Sequence, residues 1–114
     1  MKIRLLTLSC CIYCALSCGY RENEIDRVML DPGQVSAYSF ETQDPIEIGI
    51  KLAREVKGGV IELRQEGSDS KAGTSHLYVS RDWTPIEGKI ELELINQSVS
   101  SVEVVVCRGS EPDL

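Results

Sequence analysis

The chain has 114 residues, 42% of them hydrophobic and 5% aromatic, and a formal charge of −6 at pH 7. That length suits one domain and not two. The acid excess repels phosphate backbones and leaves no basic cluster for anionic lipid headgroups, which excludes nucleic-acid binding and direct binding to a lipid surface from the expected functions.

The first element in chain order reads as an export signal over residues 1–17. Lys2 and Arg4 supply a positive start, residues 5–16 are uncharged and mostly apolar or small, Ser17 and Gly19 are small, and the first acid is Glu22. The apolar run is shorter than the roughly 20 residues that span a bilayer, and no later segment approaches that length. Without Lys2 and Arg4 the remaining chain carries −8. A domain of this size buries only about 60–65% of its unfolded surface, which allows a two-layer core and little room for a deep pocket.

Cys10, Cys11, Cys14 and Cys18 fall at or before the cleavage region, and only Cys107 lies in the body. This is neither a disulfide scaffold nor a zinc spacing, and no metal or other cofactor is expected. Cys18 has two readings. Ala15-Leu16-Ser17-Cys18, followed by Gly19, resembles a bacterial lipoprotein signal, which implies that Cys18 becomes a lipidated first residue held at a membrane, with residues 20–27 as a polar tether. In the other reading Ala15 and Ser17 direct ordinary export cleavage, and Cys18 pairs with Cys107 in an oxidising compartment, a bond worth roughly 2–4 kcal/mol. Residues 18–28 are accordingly expected as a polar tether or edge segment, 29–108 as the folded domain and 109–114 as a short flexible tail.

The body alternates apolar and polar residues with a period of two. Residues 25–30 form an edge strand in this reading. Residues 35–40 place Tyr38 and Phe40 on one side. Residues 46–52 place Ile46, Ile48, Ile50 and Leu52 on one face. Residues 60–63 and 77–79 are shorter strands. Residues 90–94 turn Glu91 and Glu93 to solvent, and residues 102–106 set Val102, Val104 and Val106 against Glu103. Turn signals divide these runs at Asp31-Pro32-Gly33, Asp44-Pro45, Gly58-Gly59, residues 67–74, Thr84-Pro85, Gly88 and Asn96-Gln97-Ser98. Roughly six to eight short strands at this spacing predict an all-β fold, a small antiparallel β-sandwich of jelly-roll or immunoglobulin-like type.

Leu30-Asp31-Pro32-Gly33, Tyr38-Ser39-Phe40, residues 46–52, Gly59-Val60-Ile61-Glu62-Leu63 and Gly88-Lys89-Ile90-Glu91-Leu92, leading into residues 102–106, resemble the pre-peptidase C-terminal domain, a bacterial β-sandwich family. The resemblance implies a non-catalytic appendage of secreted or envelope proteins. A Golgi-dynamics-type sandwich has a similar strand pattern. The triplet Arg81-Asp82-Trp83 resembles the Arg-Pro-Trp loop of chagasin-type inhibitors of cysteine peptidases, with Asp82 in place of the proline.

Candidate functional residues are few. His76, the single histidine, alternates with Leu77 and Val79 and is read as an exposed strand residue, since no nucleophile or orienting partner is evident. Cys107 sits beside Arg108, which lowers a thiol pKa when the two are close, but no catalytic signature surrounds it. Residues 67–71, with Asp69 and nearby Glu66, offer oxygen ligands of the kind calcium takes, although Lys71 opposes a cation; a surface hairpin is the simpler reading. Arg81, Asp82 and Trp83 form the candidate binding loop, because Trp and Arg are frequent interface anchors; the competing reading folds Trp83 over one end of the core. Asn96-Gln97-Ser98 fits an N-glycosylation acceptor. The expected function is a non-catalytic exported binding or accessory domain, in the cell envelope through a lipid on Cys18 or secreted, presenting loops to a protein or glycan partner. The alternative is a secreted peptidase inhibitor acting through the Arg81-Gly88 loop.

Overall fold

A computed structural model describes residues 23–109 and 111, together with the backbone of residues 5–7. Each period-two run becomes a strand because alternation gives one apolar face to bury and one polar face to solvate. The strands are β1 (Leu5–Thr7), β2 (Glu24–Leu30), β3 (Val35–Glu41), β4 (Ile46–Leu52), β5 (Ile61–Gln65), β6 (Ser68–Ala72), β7 (Tyr78–Trp83), β8 (Lys89–Asn96) and β9 (Val102–Arg108).

Strands β2 to β9 pair antiparallel in a nested order: β2 with β9, β3 with β8, β4 with β7 and β5 with β6. The chain is therefore one long hairpin whose tip is Glu66-Gly67. Further pairings of β4 with β9 and β5 with β8 wrap that ribbon into two sheets. The first sheet has the order β1-β3-β8-β5-β6 and the second β2-β9-β4-β7. This nested wrapping is the jelly-roll arrangement, which resolves the choice between jelly-roll and immunoglobulin-like sandwiches. Strand β1 lies parallel to β3 at the edge of the first sheet, with Leu5 opposite Ala37 and Thr7 opposite Ser39.

The inner faces interlock as the alternation predicts. Tyr38, Phe40, Ile61, Leu63, Ile90, Leu92 and Leu94 from the first sheet meet Val28, Leu30, Ile46, Ile48, Ile50, Leu52, Val102, Val104 and Val106 from the second. At the β2–β3 side the Tyr38 hydroxyl donates to Asp26 Oδ2 at 2.9 Å, joining the two sheets.

Several boundaries differ from the sequence reading. Of residues 18–28, read as a polar tether or edge segment, 24–28 belong to edge strand β2, which begins one residue before the expected strand and carries a register shift between Glu24 and Asp26. The polar run 67–74, read as a break between strands and at 67–71 as a surface hairpin, contains the hairpin's return strand β6; an edge strand needs only backbone pairing on one side, so its polar side chains do not prevent it. His76 lies in the turn before β7 and is exposed, rather than in a strand beside Tyr78. Arg81, Asp82 and Trp83 end strand β7 and are not a loop. Gly109 and Glu111 fold back onto the second sheet, through Gly109 N–H to the Glu47 carbonyl and a 2.6 Å ion pair between Lys51 and Glu111, where a free tail was expected. The segment expected to be an export signal, apart from the backbone of residues 5–7, lies outside the described residues, as does Cys18.

Candidate functional site

The residues that the sequence singles out are mostly structural. Trp83 is 1% exposed. Its indole N–H donates to the Ile48 carbonyl at 2.9 Å, and the Arg81 guanidinium lies 5.1 Å from the ring centroid. Arg81 also donates to the Asp69 carbonyl at 2.9 Å, so it covers the ring and ties β7 to β6 across the open side of the sandwich. Trp83 thus closes one end of the core and is not presented to a partner, which removes the central residue of the expected binding loop and of the inhibitor reading. Asp82 and Arg81 remain exposed, at the edge of a strand.

Cys107 faces away from the core and is nevertheless fully buried. It sits opposite Gly49 in the register, with Sγ 3.5 Å from the Gly49 carbonyl oxygen. A Cβ at Gly49 would collide with the β7 backbone at Val79 and Ser80, so glycine is what allows the strands to approach here. Burial pushes the Cys107 thiol up to about 11, and Glu47 and Glu111 push the same way. The neighbouring Arg108 does not activate it. A thiolate nucleophile is unavailable at neutral pH.

Asn96, expected in a turn, is 0% exposed at the end of β8. Its amide nitrogen donates to the carbonyls of Leu30 and Ser100, and its side-chain oxygen accepts from the Ser98 N–H and hydroxyl. It pins the turn that leads into β9, and in the folded chain no glycosylating enzyme reaches it. Among the described residues no His, Cys, Asp and Glu cluster is arranged to hold a metal, residues 66–71 included.

A concave surface lies elsewhere among the described residues, on the outer face of the first sheet. A groove of about 610 Å³ runs over Ala37 and Ser39 of β3 and Lys89, Glu91 and Glu93 of β8, beneath two turns that bring Gln65, Glu66, Ile86 and Glu87 to its rim. Alternation places Glu91 and Glu93 there, because Ile90, Leu92 and Leu94 take the core side. The opposing β3 positions are small, Ser39 facing Glu91 and Ala37 facing Glu93, and this difference in side-chain length makes the trough. Arg64 reaches Glu93 at 3.3 Å and Glu62 at 3.8 Å. Four glutamates against Lys89 and the Arg64 that answers Glu93 still leave the trough negative.

The rim turn is unusual. Ile86 and Lys89 exchange backbone hydrogen bonds around a two-residue turn in which Glu87 has φ 52° and Gly88 φ 80°. Both central residues of such a turn need positive φ, which suits Asn, Asp or Gly. A glutamate there costs about 1 kcal/mol. Ile86 beside it is 47% exposed.

No protein-family model and no curated protein matches the chain. Solved structures do. A de novo designed double-stranded β-helix is similar over 73% of this chain and 95% of its own, with 13% identity and a TM-score of 0.52. The pre-peptidase C-terminal domain of a collagenase from Bacillus anthracis, a member of the family that the strand motifs resemble, aligns over 92% of each chain with 14% identity and a TM-score of 0.49. The likeness to the designed protein is one of fold, a ribbon wound into two sheets.

Sequence reasoning missed the groove. Its signal was available: Glu91 and Glu93 were assigned to solvent, and Ala37 and Ser39 are the small residues of β3. What could not be read was the pairing of β3 with β8, which sets those residues side by side.

Proposed function

We propose that this is a non-catalytic exported accessory domain that binds a protein partner through the acidic groove on its first sheet. The observation that carries the reading is the groove itself, a trough of about 610 Å³ lined by Glu66, Glu87, Glu91 and Glu93 on an otherwise regular sheet face. An excess of one charge sign in a concave surface steers an oppositely charged partner and sets its register. Among the described residues the one thiol and the one imidazole are poorly placed for covalent chemistry: Cys107 is buried and protonated, and His76 is exposed in a turn. The sequence motifs that resemble the pre-peptidase C-terminal domain point to an appendage in the same way. A protein suits the groove better than a glycan, because Trp83, Tyr38 and Phe40 are buried and offer a sugar no ring to stack on.

The test is calorimetric titration with oligolysine and with oligoglutamate. Oligolysine should bind, weaken steeply with salt, and lose at least tenfold in affinity when Glu87, Glu91 and Glu93 are all changed to Gln. Equal binding of the two probes, or oligolysine binding untouched by the triple change, would remove the groove as the site.

The location belongs to the same proposal. The chain is exported, with Cys18 lipidated and the domain displayed from the membrane; a soluble domain with a Cys18–Cys107 bond is the competing form. Intact mass of the mature protein separates the two: a diacyl or triacyl increment on Cys18, against a lipid-free chain that gains two hydrogens on reduction.

A further inference from the structure

Four strands of the antiparallel ribbon end up at sheet edges, and an exposed edge invites pairing with another chain unless it is defended. Three of the four are defended. Strand β2 has the register shift at Glu24 and Asp26 and carries Glu24, Asp26 and Arg27. Strand β6 is five residues long and carries Asp69 and Lys71. Strand β7 carries Arg81 and Asp82, and Arg81 bridges it to the β6 backbone. Strand β3 differs. It keeps unbroken register with β8 over all seven residues, from Val35 opposite Ile95 to Glu41 opposite Lys89, and its first six residues, Val-Ser-Ala-Tyr-Ser-Phe, are uncharged with no proline. It is also the edge on which an extended piece of this same chain lies, Leu5–Thr7 in parallel register with residues 37–39.

We infer that the β3 edge is a strand-docking site, occupied by Leu5–Thr7 in the full chain and, once the leader is removed, by an extended basic segment of a partner protein running parallel to β3. The inference rests on the acidic-groove reading and specifies how the partner is held. Neighbouring strands lie about 4.8 Å apart, so a strand docked on β3 stands two spacings from β8. Its residues in register with Ala37 and Ser39 fall on the outer face, on the same side as Glu93 and Glu91. Because Ala37 and Ser39 are small, a Lys or Arg stem passes over them and brings its charge to those carboxylates, while the intervening residue, in register with Tyr38, turns inward. The backbone ladder supplies affinity, and alternate basic residues supply selectivity.

The experiment compares the chain from Gly19 onward with the full chain. The shorter chain keeps the whole core, which is drawn from residues 25–106. Each is titrated with a Lys-Val-Lys-Val-Lys peptide and with the same peptide N-methylated at alternate backbone nitrogens, while amide exchange is followed residue by residue. In the shorter chain the plain peptide should slow exchange within residues 35–41 at least tenfold, and the methylated peptide should not. In the full chain the plain peptide should bind at least tenfold more weakly, and Leu6→Pro should restore binding. If both peptides bind equally and the Glu-to-Gln variant abolishes both, the groove reading stands and strand docking falls. If neither binds, both fall. Concentration-dependent protection of residues 35–41 without peptide would make the occupant a second copy of this chain and overturn the partner assignment.

Discussion

The outer faces of the two sheets are built by the same alternation and end in opposite states. On the second sheet the outward positions are filled and neutralised. Val105 and Cys107 are 0% exposed although they face away from the core. Around them Arg27 pairs with Glu24 and Glu103, Lys51 pairs with Glu111, Ser80 donates to Glu47, and the Tyr78 hydroxyl donates to the Gly109 carbonyl. On the first sheet Glu91 and Glu93 stand over Ser39 and Ala37 in an open trough, where Arg64 answers Glu93 and an acid excess remains. A period of two assigns a residue to a face; it does not say whether that face will be covered. Coverage depends on what the topology places beside it, here the returning chain end at Gly109 and Glu111 on one sheet and two overhanging turns on the other.

The predictions sharpen this contrast, from the largest effect to the smallest. Trp83 belongs to neither face, so Trp83→Ala should cost about 3–5 kcal/mol in urea unfolding and leave oligolysine binding by the folded fraction unchanged. A surface tryptophan would give the reverse pattern, a stable protein that no longer binds. A charge placed on each outer face separates the two directly. Val105→Lys buries an unpaired ammonium and should destabilise by about 3 kcal/mol or more, whereas Glu91→Lys should stay within about 0.5 kcal/mol of the parent. Equal costs would mean that the faces are alike.

The closed face also carries a pH signature. The Cys107 thiol is pushed up from 9.0 to about 11, so the fold favours its protonated form. That stabilisation is complete below pH 9 and is lost as the pH rises from 9 to 11, where the unfolded chain ionises and the folded chain does not. Wild type should lose about 2 kcal/mol more than Cys107→Ala over that window. Parallel pH profiles for the two proteins would place the thiol in water.

Much of the fold was legible from residues alone. Ile46, Ile48, Ile50 and Leu52, then Ile90, Leu92 and Leu94, then Val102, Val104 and Val106 announce their strands and their inward faces, and all are buried as read. Strand β6 was not legible, because Ser-Asp-Ser-Lys-Ala has no apolar face and is a strand only by pairing with β5. Cys107 is buried on the outer side, over the space left by Gly49, and that depends on strand spacing, which the sequence does not display. Trp83 and Asn96 carry the residue types of a binding loop and a glycan site, and each is spent on structure, one closing the core and the other holding a turn. The groove was half legible: its glutamates were placed in solvent, and their neighbours were not.

The measurement that bears most directly on the central claim is a residue-resolved shift map of the chain from Gly19 onward, titrated with the Lys-Val-Lys-Val-Lys peptide. Shifts gathered on Ala37, Ser39, Glu91 and Glu93, with Lys51, Val105 and Cys107 unmoved, are what an open acidic face and a closed neutral one predict. Shifts centred on the second sheet, or spread evenly over both, would contradict it.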